Sequence, residues 1–352
     1  MHDRQSAIQA IAGRAVIGLA VLATLIIAGC GTTTSGGGSP TATTNPTLTA
    51  CSVSSSDLAP TVSTKGTSPK VSGLSGQKIS ADGSSALQPL VKQAAAEFDS
   101  ANGTQSTISA GGSGQGIKDV HAGAVMIGNS DVFADTKATT PGQYSDLTDH
   151  QVAAVVFSLV TNNDLAGKVD NLTKAQIQDI YTGVDTMWSQ VGGPNEPITV
   201  INRPTTSGTR STFDKYVLDG KKESGGNTLT QDNTGAVAAA VKATVGSIGY
   251  VSIGFAVTNG ADVHPLCIDG AKAVATDVNS GAYNFWGIEH MYTKGPATGA
   301  AKALIQYIIS PAVQSNDLLA LSYLQLSTVS PSAITAHTPA GEPAPETLTP
   351  LS

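Results

Sequence analysis

Three short segments of this 352-residue chain share one design. Ala81-Asp82-Gly83-Ser84-Ser85-Ala86 leads into a helical pattern at Leu87. Gly111-Gly112-Ser113-Gly114-Gln115-Gly116 leads into one through Ile117 and Val120. Arg203-Pro204-Thr205-Thr206-Ser207-Gly208-Thr209 leads into one through Phe213. The first N–H groups of a helix have no partner within it, and its dipole is positive at that end. Small residues let an anion approach those N–H groups, and Ser or Thr hydroxyls add donors. Candidate donors are therefore Ser84, Ser85, the Ala86 N–H, Ser113, Ser207, Gly208 and Thr209. One such loop usually marks no more than an N-capped turn. Three in one chain, one of them carrying an arginine, point to an anion site. The Gly111–Gly116 loop also resembles a dinucleotide fingerprint superficially, a reading discounted because one such loop is weak evidence.

Arg203 supplies a guanidinium suited to a tetrahedral oxyanion, which it can grip with two N–H groups at once. Arg210 is the competing cation, placed inside the helix. Asp131 follows Met126-Ile127-Gly128-Asn129-Ser130 and so sits at the C-terminal end of a strand, where open α/β sheets bind ligands. A carboxylate can only accept hydrogen bonds. It fits an anion site only if the anion still carries a proton, as phosphate does near neutral pH and sulfate does not. One acidic acceptor would then admit phosphate and repel sulfate.

Alternating strand and helix signals position these groups. Apolar residues Leu87, Leu90, Val91, Ala94, Ala95 and Phe98 have helical spacing within 86–100. Val125–Gly128, Val152–Val160, Ile198–Ile201 and Ile248–Val251 read as strands, the second apolar enough to be buried on both faces. Thr173 with Gln176 forms a capping box for a helix that stops at Gly183. Further helices are expected over about 208–218, 235–243 and 300–309. The alternation predicts parallel sheets covered by helices.

The 19 Lys and Arg against 26 Asp and Glu give a net charge of −7, which argues against nucleic acid as a partner. Local groups govern an anion cleft, so the net charge does not exclude one. His2, Arg4 and Arg14 precede an apolar run, Ala15–Ala28, of about 14 residues, the length of a signal-peptide core rather than a membrane span. It ends at Ile27-Ala28-Gly29-Cys30, which is similar to the lipobox of bacterial lipoproteins. That implies cleavage after Gly29 and lipidation of Cys30; an ordinary signal peptide or an uncleaved anchor is the alternative. Residues 30–75, rich in Gly, Ser, Thr and Pro, read as a disordered tether, and 338–352 as a loose tail. Cys51 and Cys267 either pair or stay free.

Several ordered segments resemble the phosphate-binding receptors of phosphate ABC transporters, the PstS type. They are Gly83-Ser84-Ser85-Ala86-Leu87-Gln88-Pro89, Gly112–Gly116, Ile127–Asp131, Asn171-Leu172-Thr173 with Tyr181-Thr182-Gly183 and Trp188, Asn202-Arg203 through Arg210, and Glu289-His290-Met291-Tyr292-Thr293. The resemblance runs from about Ile79 to about Ser327. It implies an α/β, two-lobed type II periplasmic-binding-protein fold with a two-strand hinge, its crossings near 155–162 and 250–255. Lobe one would span 76–157 and 255–337, and lobe two 158–254. It further implies capture of inorganic phosphate, delivery to ABC transporter permease subunits, a lipid-anchored monomer, and neither metal nor cofactor. Relatives often carry an acid where this chain has Thr205, so what orients Arg203 is open. Some have Thr and an aromatic in place of Ser85 and Ala86. His290 is assigned a structural role.

Other readings are a receptor for sulfate or molybdate, a surface adhesin or sensor on the same fold, and an enzyme using Ser113 or Ser207 as nucleophile. Asp131 argues against the first. The six His residues show no ligand or nucleophile–base spacing, which argues against the last.

Overall fold

The computed structural model describes Cys51, Val53, Asp57 and residues 66–224, 227–258 and 263–351. The signal-peptide reading and the lipidation of Cys30 lie outside the described residues. In chain order the first part runs β1 (Lys78–Gly83), α1 (Gln88–Asn102), β2 (Gln105–Ile108), α2 (Ser113–Ala122), β3 (Ile127–Ser130) and β4 (Leu147–Asn162). Then come β5 (Asn171–Leu172), α3 (Lys174–Thr182), β6 (Thr199–Asn202), α4 (Gly208–Tyr216), β7 (Thr228–Thr230), α5 (Thr234–Ala243) and β8 (Ser247–Ser252). The chain returns through α6 (Ile253–Thr258), β9 (Val263–Pro265), β10 (Cys267–Ile268), α7 (Ala275–Ser280), β11 (Trp286–Lys294), α8 (Gly299–Ile308) and α9 (Pro331–His337).

Local chemistry sets the helix ends. Thr173 accepts from the Gln176 N–H and Gln176 reaches back, the expected capping box, and Gly183 closes α3 at φ 80°. Helix α1 starts later than the apolar spacing predicts, because the 84–87 turn precedes it and Pro89 fits only its first turn. It buries Leu90, Val91, Ala94, Ala95 and Phe98 and packs on α8, where Phe98 meets Tyr307 with ring centroids 6.1 Å apart.

Among the described residues one nine-stranded sheet runs β2-β1-β3-β11-β4-β8-β6-β7, with β9 beside β4; β10 and β5 form a separate pair. The predicted parallel pairing holds for β1 with β2 and β3, and for β6 with β7 and β8. At the centre it fails, since β11 is antiparallel to β3 and β4, and β4 to β8. The sheet is therefore mixed. The long strand β4 links its halves: it pairs β11 up to Val156 and β8 from Phe157 onward. Its residues from Val152 to Asn162 are buried on both faces, as the continuous apolar run predicts.

Both chain ends correct the expectations of a tether to residue 75 and a loose tail. Cys51 is disulfide-bonded to Cys267. The Gly66 N–H donates to Asp317 at 3.2 Å and the Val71 N–H to Asn102 at 2.6 Å, so residues 66–75 are part of the body. In the tail, the Glu346 N–H donates to the Asp149 carbonyl at 2.8 Å, and Leu348 is only 7% exposed. Backbone bonding and one apolar anchor hold a segment whose composition alone looks unstructured.

Candidate functional site

The three helix starts converge between the two halves of the sheet. Gly83 ends β1 at φ 133°, where an added Cβ would lie 2.0 Å from the Asn129 carbonyl, so only glycine fits. The following turn directs Ser84 and Ser85 inward. The Ser84 hydroxyl donates to Asp131 Oδ1 and accepts from the Ala86 and Leu87 N–H groups at 3.0 and 2.9 Å. In this conformation the Ala86 N–H is thus engaged internally. Ser113, first residue of α2, is fully buried and accepts from the Asp131 N–H at 3.1 Å.

Asp131 follows β3 directly and is 3% exposed. Its Oδ2 accepts from the Thr209 hydroxyl at 2.9 Å, a bond from the first half of the sheet to the second. Ser207 caps α4, its hydroxyl accepting from the Arg210 N–H at 3.2 Å. The N–H groups of Gly208 and Thr209 come first in that helix and have no partner within it. Gly208 lies so close to the other side that a Cβ would stand 2.2 Å from Ser113 Oγ.

Arg203 follows β6 and is 1% exposed. Its Nη2 donates to the Asp232 carbonyl at 3.0 Å and to Ser85 Oγ at 3.3 Å, while Nε and Nη1 find no acceptor among the described residues. Burial pushes its pKa down; Tyr250, Asp131 and Asp232 pull it back up. A carbonyl and a hydroxyl thus hold Arg203 in this chain, which has Thr205 where the resemblance implies an acid. Arg210, the competing cation, turns away and donates from Nη1 to the Arg203 carbonyl at 2.6 Å. It lies within ion-pair range of Asp214 and Glu223.

Residues that sequence reasoning missed complete the cluster. Lys137 Nζ donates to the Thr205 and Ser207 carbonyls, both at 2.9 Å, and to Ser211 Oγ at 2.5 Å. Burial lowers its pKa to about 8 against the opposing pull of Asp131 and Asp214. The backbone joins this contact, with the Gly114 N–H donating to the Thr206 carbonyl at 2.9 Å. Thr234 presents a fourth helix start: its hydroxyl lies 3.1 Å from Ser85 Oγ, and its N–H donates there at 3.2 Å. Asn233 as N-cap was the available signal for it. A small cavity of about 40 Å³ adjoins Asp131, lined also by Phe133, Thr212, Trp286, His290 and His337. It involves none of the other predicted site residues.

The arrangement holds one buried guanidinium with free donors, one buried carboxylate, and several helix beginnings within a single contact region. Residues 39–312 match the PBP superfamily domain. The phosphate-binding protein PstS of Bacillus subtilis is 40% identical over 250 residues, covering 71% of this chain and 81% of that protein. The chain belongs to the PstS family. A Clostridium perfringens protein solved with bound phosphate, and described as a phosphate ABC transporter substrate-binding protein, matches with a TM-score of 0.64. That match has 26% identity and covers 71% of this chain and all of that one. Alkaline phosphatase L of Pseudomonas aeruginosa is 29% identical over 151 residues, 36% of this chain and 40% of that protein. PstS membership fixes the mixed α/β sheet as the two-lobed type II fold.

Proposed function

We propose that this protein binds inorganic phosphate outside the cytoplasm and delivers it to an ABC transporter. The observation that carries this reading is the pairing of Arg203, with two nitrogens unengaged among the described residues, and Asp131 in one buried contact region. Arg203 and the α4 start supply donors to an anion. Asp131 accepts the proton that phosphate retains, which sulfate lacks.

Ser84, Ser85, Ala86, Ser113 and Asp131 act from lobe one, residues 76–157 and 255–337. Arg203, Ser207, Gly208 and Thr209 act from lobe two, residues 158–254. The change of partner along β4 at Val156 and Phe157, and the turn from β8 into α6 after Ser252, support hinges at those points. Contacts of Thr209, Gly114 and Lys137 across the lobes describe a closed form, which ligand binding would favour over an open one. Delivery would start from a monomer held at the membrane through Cys30.

The receptor reading is preferred to a phosphatase. Ser113 Oγ accepts from Asp131 and Ser207 Oγ from Arg210, whereas the rings of His150, His264 and His290 bond Thr293, Asp170 and Asp149. No nucleophile–base pair results from these contacts. Calorimetric titration of the purified protein with phosphate and with sulfate tests the proposal. It predicts tight phosphate binding, weak sulfate binding and no release of phosphate from an aryl phosphate. Turnover of that ester, or equal affinity for the two ions, would refute it.

A further inference from the structure

Glu289 is a buried acid that the anion site as described leaves unused. It lies on β11 next to His290, which pairs with Ser130 on β3. That register brings Glu289 alongside Asp131, near enough for the two buried carboxyls to act on each other. Gly287 closes the same contact, since a Cβ there would stand 2.9 Å from the Asp131 carbonyl. Glu289 is 0% exposed, and neither of its oxygens finds a donor among the described residues.

Two ionised carboxylates have only acceptors, so these two can bond each other only when one of them holds a proton. Burial first, then the charge of Asp131, pushes the Glu289 pKa well above the usual carboxylate range. The groups facing the pair fit one shared negative charge placed on Asp131. The Ser84 and Thr209 hydroxyls donate to Asp131, and Arg203 and Lys137 act on it electrostatically. Tyr323 faces both carboxyls but donates its hydroxyl to the Ala86 carbonyl. His290 turns away to Asp149 at 2.9 Å.

We propose that Glu289 is a positioning residue which, in its protonated form, donates a hydrogen bond to Asp131 and keeps that carboxylate ionised toward the ligand. This rests on the reading of Asp131 as the acceptor of the phosphate proton and deepens it. A buried carboxyl without donors favours its neutral form, and a donor to the charged form favours ionisation. A protonated Asp131 would become a donor, able to bond sulfate and no longer selective for the ligand's proton. Glu289 thus sets how far into acid the discrimination persists.

The test compares wild type, Glu289→Leu and Glu289→Gln by calorimetry with phosphate and sulfate, at about pH 5 and about pH 8. Wild type should prefer phosphate at both. Glu289→Leu should lose roughly tenfold or more of that preference at the acid end and recover it at the alkaline end, because the donor to the Asp131 carboxylate is gone. Glu289→Gln retains a neutral donor and should follow wild type. If the leucine variant does not fold, Glu289→Met takes its place in the comparison. A leucine or methionine variant with the wild-type ratio at both pH values overturns the inference, as does a glutamine variant that behaves like leucine. Wild type that binds no phosphate would instead overturn the phosphate reading, and the inference with it.

Discussion

Replacing Arg203 by methionine separates what the guanidinium does for the ligand from what it does for the fold. The side chain is among the largest fully buried ones, and its Nη2 is held by Asp232 and Ser85 while Nε and Nη1 are free. Each free N–H offers a charge-assisted hydrogen bond worth about 1.5–3 kcal/mol. Together, in a desolvated cleft, they place the loss at about 2–5 kcal/mol. By the tenfold-per-1.4 kcal/mol rule this is roughly a 30-fold to several-thousand-fold weaker Kd. The fold should respond differently. Among the described residues no carboxylate hydrogen-bonds the guanidinium, so the apo protein bears the desolvation of a cation without a bonded counter-ion there. Methionine fills similar space without that charge, and the apo Tm should stay level or rise. Calorimetry gives the affinity, and thermal melts with and without phosphate give the stability. An unchanged Kd would refute the assignment of Arg203 to the ligand. A steep fall in apo Tm would refute the claim that the cation is kept for binding rather than for stability.

Other substitutions test the remaining parts. Asp131→Asn supplies an amide donor in place of an acceptor-only group, so phosphate should weaken by about 1–3 kcal/mol and sulfate should gain, measured as the ratio of the two affinities. Gly208→Ala puts a Cβ where Ser113 Oγ now lies 2.2 Å away, so the lobes should fail to close fully. It should weaken phosphate binding by about 1–3 kcal/mol and leave the ligand-bound form larger by small-angle scattering. Lys137 loses its proton as pH rises through about 8, because burial lowers its pKa. Charge and one donor between the lobes go with it. Phosphate affinity should fall above that pH in wild type, and this fall should be absent in Lys137→Met, whose affinity is lower throughout.

Much of the site was legible because its parts are local. Thr173 with Gln176, and Ser207 ahead of α4, announce helix starts within four residues, and Asp131 directly follows a short apolar strand. Arg203 was legible as a charge but not in its orientation, since Asp232 and Ser85 lie 29 and 118 residues away in sequence. Lys137 stayed hidden for the same reason: its partners are 68 to 74 residues distant, and its own surroundings read as a polar turn. Strand β11 carries Glu289 and His290 at its centre, both fully buried, which breaks the apolar pattern by which a buried strand is read. The parallel-sheet expectation failed with it, because β11 runs back between β3 and β4. Composition misread the ends as well. Low hydrophobicity marks a segment that cannot fold alone, but Gly66 and Leu348 dock on a body that is already folded.

The most direct measurement is a crystal structure of the protein grown with phosphate. The account predicts one phosphate bonded at the same time to Asp131 and to Arg203 Nε or Nη1, with the start of α4 beside it. A phosphate bound elsewhere, or one that touches Arg203 while Asp131 faces away, would contradict it.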